Sequence, residues 1–156
     1  MSLGLNILWF VFGGLLSGLL WYLAGLIMAL TIIGLPWARA CFMLGNFNFA
    51  PFGRDVISRE DLSGQSDIGT GPLGLIGNVI WFVLFGWLLA LSHLFWAVLL
   101  ACTIIGIPFA IQHIKLAGAA LFPIGKTVVS NELAALARQE TASDRLQSLR
   151  GNKPDE

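Results

Sequence analysis

Charge is what this chain has least of. Asp, Glu, Lys and Arg make up only 12% of its 156 residues, about half the share of a soluble domain, and the mean hydropathy is +0.79. Nine cations balance nine anions, so there is no basic field to draw nucleic acid, which is not expected as a partner. No Asp or Glu falls within residues 3–38 or 72–111. A carboxylate proton relay, a metal cage or an acid pair at the bilayer midplane therefore has no candidates, which argues against an ion-coupled pump.

Cysteine is equally scarce. Cys41 and Cys102 show no metal-site spacing and imply no disulfide framework, so both are read as small apolar residues. His93 and His113 are expected to lie far apart, one at a turn and one at an interface. With Cys41 and Cys102 they assemble no nucleophile, base or metal set, so the chain is not read as an enzyme, and no cofactor is expected. The string GTGPLG, residues 69–74, matches a dinucleotide fingerprint by letter. It follows a polar stretch instead of a strand and contains Pro72, which is better read as a helix start.

What is present is apolar sequence in two long tracts, residues 3–38 and 72–111. Tracts of this kind imply a membrane protein whose first partner is the lipid bilayer. A single helix of about 36 residues would be roughly 54 Å long against a hydrocarbon core of roughly 30 Å, so one straight crossing does not fit. The tracts are also copies. An offset of 72 residues aligns them without a gap, from Asn6 on Asn78 through Trp9 on Trp81, Gly14 on Gly86, TIIG-L-P on TIIG-I-P and Gly53 on Gly125, with about a third of positions identical. This is an internal duplication.

The copies place cations alike, Arg39 and Lys115 just past each tract and Arg54 and Lys126 at each PxG turn. By the positive-inside tendency both repeats run parallel, with both ends in the cytoplasm. The stretch 54–71 is polar and cannot cross hydrocarbon, so each repeat crosses an even number of times. The expected fold is an all-α membrane protein of two parallel repeats, each a transmembrane hairpin followed by a short interfacial helix, with four crossings and a soluble C-terminal helix. The first hairpin is set at residues 4–20 and 22–38 with its turn at Trp21 and Tyr22, and the second turns at Ser92 and His93. The interfacial helices are the segments beginning WARACF and FAIQHI. The alternative is one tilted crossing per copy followed by such a segment. The domains are 1–56 and 72–128 for the repeats, 57–71 for a polar cytoplasmic linker, and 129–156 for a cytoplasmic helical tail. In the tail, Ser130 caps a largely solvated helix with a thin stripe of Leu133, Leu136, Leu146 and Leu149.

Three paired features carry the functional reading. Pro36 and Pro108 lack a donor and displace the carbonyls of Ile32 and Ile104, while Gly34 and Gly106 relieve crowding and Thr31 and Thr103 can bond local backbone. The result is either an elbow ending a helix, or a set of freed carbonyls bordering a polar constriction. Asn6 and Asn78 precede aromatic pairs and read as helix caps or as an interhelical hydrogen bond across a pseudo-twofold axis. Gly14 and Gly18, matched by Gly86 and Ala90, are small-residue packing faces within the chain or between subunits.

The strings LNILWFVFGG, NVIWFVLFGW and IIGIPFAIQHIKLAGAALFPIGK, followed by VVS, resemble the YccF family, whose duplicated unit is called the inner-membrane component domain. The resemblance implies a small multi-pass protein of the bacterial inner membrane without an assigned activity, and it transfers no catalytic residues. These readings favour an oligomeric channel or carrier bordered by the TIIGxP elbows and the two asparagines; the alternative is an organiser that binds an unidentified protein through its cytoplasmic face.

Overall fold

The computed structural model describes residues 2–151. Its elements are α1 (Ser2–Ala29), α2 (Leu35–Phe49), β1 (Arg54–Ser58), α3 (Arg59–Ser63), α4 (Pro72–Ala101), α5 (Ile107–Leu121), β2 (Lys126–Ser130) and α6 (Asn131–Gly151). The chain is mostly helical and built of two repeats, α1–α2–β1 and α4–α5–β2. At 1.5 Å per residue, α1 and α4 are about 42 and 45 Å long. Both are apolar enough to cross a membrane, and little of either is buried within the protein. Their outward surface is a near-continuous field of Leu, Ile, Val and Phe, which suits lipid and not water.

Each long helix contains a wide π-turn at the same repeat position, Phe10–Gly14 and Phe82–Gly86, and the first is bent at Gly13. Such bulges are where long helices kink, and here they adjust α1 and α4 to their shorter partners. Gly14 and Gly86 end the bulges because a side chain there would crowd the Trp9 or Trp81 ring and the backbone of the returning helix. Gly18 and Gly25 of α1 likewise leave room for the rings of Phe49 and Phe42, and Ala90 of α4 is buried. The small residues thus serve packing inside each hairpin.

The hairpin turn is not where residue preferences put it. Trp21 and Tyr22 lie inside α1, and Ser92 and His93 inside α4. Trp21 is buried and stacks on Trp81 with ring centroids 6.3 Å apart, so it is a core residue and not an interface anchor. The chain reverses at the TIIG strings instead, and Pro36 and Pro108 sit in the first turn of α2 and α5, where a missing donor costs nothing. Each repeat is therefore one long and one short helix, and the expected separate interfacial helix is absent among the described residues. The helix boundaries follow the alternative division, with the segments read as interfacial serving as the second arm of each hairpin.

The polar layer also departs from the sequence reading. Residues 54–58, which straddle the end of the first repeat and the start of the polar stretch after it, form strand β1, which pairs antiparallel with β2, and Val56 faces Val128 at the centre of the register. These two residues are repeat equivalents, so a pseudo-twofold axis passes through the pair. The same symmetry relates the helices: Leu44 packs with Ala119 and Ala120, and Phe47 with Leu116, so α2 and α5 cross at equivalent positions. The contacts are isologous, as at the axis of a symmetric dimer. The tail helix is docked at its start, with Ala134 and Ala137 buried against Ile57 of β1, while the four leucines of its expected stripe are exposed.

Candidate functional site

The paired polar residues are clamps and staples. Asn6 Nδ2 donates to the Phe52 carbonyl at 3.1 Å and Asn6 Oδ1 accepts from the Phe52 N–H at 2.9 Å; Asn78 repeats both bonds with Ile124 at 3.0 and 2.9 Å. A primary amide is complementary to a backbone amide in this way because it carries one acceptor and two donors. Each asparagine fastens the start of the long helix to a residue three past the end of the short one, closing its hairpin like a clasp. It neither caps a helix nor bridges the two repeats. Three residues on, Trp9 Nε1 donates to the Asn48 carbonyl at 2.6 Å and Trp81 Nε1 to that of Ala120 at 2.9 Å, so the first member of each aromatic pair lies in the core, while Phe10 and Phe82 face outward.

The turn residues close on themselves. Thr31 Oγ1 donates to the Met28 carbonyl at 3.0 Å and accepts from the Gly34 N–H at 3.0 Å; Thr103 makes the same bonds with Leu100 and Gly106 at 3.1 and 3.0 Å. The carbonyls of Ile32 and Ile104, expected to be freed by proline, accept from the Leu35 and Ile107 N–H groups at 3.4 Å. Gly34 and Gly106 are required because a Cβ would enter the backbone of Met28 or Leu100. The isoleucines between are over 80% exposed, so each tip presents only hydrocarbon. Within one chain the structure does not bring Thr31, Thr103, Asn6 and Asn78 around a common opening.

It does bring together two residues read as distant. His93 Nδ1 and His113 Nδ1 are 3.1 Å apart, and the His113 ring packs on Trp9 with centroids 4.9 Å apart. The first-repeat equivalents of these histidines are Trp21 and Cys41, which pack against Trp81 in the other half of the core. The pairing escaped the sequence reading because a turn was placed at His93. The signal for it was the repeat alignment, which sets the pair opposite a core Trp and Cys. Beside it in sequence, Gln112 is buried, and its Oε1 has no partner among the described residues. Ser17 adds a further unforeseen bond, donating to Asn48 Oδ1 at 2.8 Å.

Two ion pairs hold the polar layer. Arg59 grips both carboxylate oxygens of Asp67 at 2.6 and 2.8 Å, and this bond, with the Thr70 and Gly69 amides, keeps the Asp67 carboxyl well below the usual carboxylate range. Arg138 of α6 reaches Asp55 of β1 at 2.8 Å. Lys115 of α5 donates to the Arg54 carbonyl at 3.1 Å and reaches Asn131 Oδ1 at 3.4 Å, tying the second hairpin to the sheet.

Duplicated apolar hairpins, each clasped by an asparagine and joined beneath a small polar layer, define a repeat-built membrane protein. The model of the family YccF, described as an inner membrane component domain, matches twice, at residues 4–54 and 76–126. The chain is 37% identical over 146 residues to the inner membrane protein YccF of Escherichia coli (strain K12), an alignment covering 92% of this chain and 97% of that one. The same values hold for the inner membrane protein YccF of Shigella flexneri. No solved structure matches. The chain belongs to the YccF family of inner-membrane proteins.

Proposed function

We propose that this protein is a non-catalytic organiser of the inner membrane, in which two hairpins anchor a cytoplasmic platform that engages a partner protein. The observation that carries this reading is how the polar groups are used. Thr31, Thr103, Asn6 and Asn78 each bond within their own repeat, so the paired elbows and asparagines do not supply a transport pathway with its polar lining. The platform, by contrast, keeps apolar surface in reserve: α6 is held by Ala134 and Ala137 while Leu136, Leu146 and Leu149 are exposed. Leucines at helical spacing outside the membrane fit the apolar face of a partner helix.

In this arrangement both hairpins are embedded in the bilayer from the cytoplasmic side, with their hydrocarbon tips in the lipid and both termini cytoplasmic, and the cations of the sheet and tail support the orientation. A channel assembled from several chains is the second reading, favoured by the part-buried His93–His113 pair and the neighbouring Gln112, whose Oε1 has no partner among the described residues.

The test pairs two measurements on folded protein. Reconstituted vesicles should pass no ion, while a photo-crosslinking residue at Leu146 or Leu149 should capture one protein in stoichiometric yield. Reproducible currents from a defined oligomer, altered by Thr103→Val, would overturn the organiser and support the pore.

A further inference from the structure

Between α2 of the first repeat and the start of α4 lies an open groove of about 720 Å³. Its walls are apolar, with Trp37 of α2 on one side and Leu73, Ile76 and Ile80 of α4 on the other. The Trp37 indole fixes this geometry by donating to the Gly77 carbonyl at 3.3 Å. The polar part of the lining is cationic: Arg39, Arg59 and Lys126 line it with a single acid, Asp67. Arg59 and Asp67 neutralise each other. Among the described residues, Arg39 and Lys126 have no carboxylate partner.

A groove that is hydrocarbon along its walls, carries two uncompensated cations and sits at the boundary between membrane helices and a polar layer matches one kind of ligand. We infer that it binds an anionic phospholipid, with acyl chain against the wall of Trp37, Ile76 and Ile80 and the phosphate at Arg39 and Lys126. Basic pockets between helices at the cytoplasmic boundary select anionic headgroups in this way. The charge is not a by-product of the duplicated fold, because the repeat equivalent of Arg39 is Ile111. Only one of the two symmetry-related positions carries the cation. The inference is independent of what the platform binds.

The test is a lipid titration of the purified full chain in mild detergent, read by native mass spectrometry, with phosphatidylglycerol and phosphatidylcholine of identical acyl chains. Wild type should prefer the anionic lipid. Arg39→Gln and Lys126→Gln should each weaken phosphatidylglycerol about fivefold and together about 25-fold, the loss of roughly one surface cation's attraction apiece. Phosphatidylcholine should be unaffected, and Arg39→Lys should retain most of the preference. Arg145→Gln with Arg150→Gln, on the far turns of α6, should change nothing. Equal binding of the two lipids by wild type, an unchanged double variant, or displacement of the lipid by inorganic phosphate alone would each overturn the assignment. Loss of binding in Arg39→Lys in protein with a wild-type melting curve would overturn it too.

Discussion

Replacing Asn78 by alanine should be among the most damaging single changes in this chain, although the residue has no part in any reaction. Asn78 is 9% exposed, and its amide serves both the N–H and the carbonyl of Ile124 at 2.9 and 3.0 Å. Truncation removes two hydrogen bonds and strands two backbone groups with no alternative partner in an apolar setting. Each stranded group costs about 1–3 kcal/mol, so roughly 2–4 kcal/mol is expected for the pair, allowing for partial relaxation. At about 3 °C per kcal/mol for a chain of this size, the melting midpoint in detergent should fall by roughly 6–12 °C. Asn6→Ala breaks the equivalent clasp at a half-buried site, where water can replace the amide, and should cost about half as much. The assay is thermal unfolding of both variants together with hydrogen exchange at the Ile124 amide, which should lose protection. A change below about 0.5 kcal/mol in Asn78→Ala, or a larger loss in Asn6→Ala than in Asn78→Ala, would refute the clasp.

Gly106→Ala should lower stability by about 1–3 kcal/mol, the range for forcing extra volume into a packed site, because its Cβ would meet the Leu100 carbonyl and Thr103 Oγ1; chemical unfolding measures it, and a neutral outcome would contradict the turn geometry. Thr103→Val keeps the shape but removes the staple to Leu100 and Gly106, for about 1 kcal/mol, so Thr103→Ser should recover most of the loss. The Arg59–Asp67 pair predicts acid sensitivity of the polar layer. The folded carboxyl titrates below its ordinary value, so its stabilisation is present above the ordinary carboxylate pKa of about 4 and is lost as pH falls through the folded value. Exchange protection around residues 67–71 should therefore drop on acidification, and Asp67→Asn should remove that dependence.

The duplication and the break at TIIGxP were legible because both are local: identical letters at a constant offset, and a proline and a glycine that interrupt a helix, although whether the proline frees a carbonyl depends on its place in the next helix. The location of the hairpin turn was not. Trp and Tyr mark interfaces only when they end up there, and Trp21 is held inside by Trp81 while Tyr22 donates to Asn46 Oδ1 at 2.8 Å. A turn made of Thr, Ile, Ile and Gly offers no polar cue, because its one hydroxyl satisfies the backbone and its isoleucines face outward. The sheet was missed for a different reason: β1 and β2 are far apart in sequence, and neither can exist without the other. The matching runs RDVIS and KTVVS, each closing a repeat, were the available sign. Asn6 and Asn78 were recognised as a pair, but their partners, 46 residues away, could not be found without the fold.

Where the two copies differ says more about function than where they agree. The clasps, staples and buried indoles are conserved between halves because each hairpin must close independently, and they are used up in doing so. Three departures around the axis change the chemistry. Arg39 in the first copy stands where the second has Ile111 and puts a cation into the groove between α2 and α4. Lys115 in the second stands where the first has Met43 and binds the sheet and α6 at Arg54 and Asn131. His93 and His113 stand where the first has Trp21 and Cys41. A symmetric pore lined by equivalent elbows would hold these positions alike, since each would face the same pathway. Divergence that turns one half toward lipid and the other toward the polar layer is what an anchored platform requires, with one hairpin specialised to the membrane boundary and the other to the unit it carries.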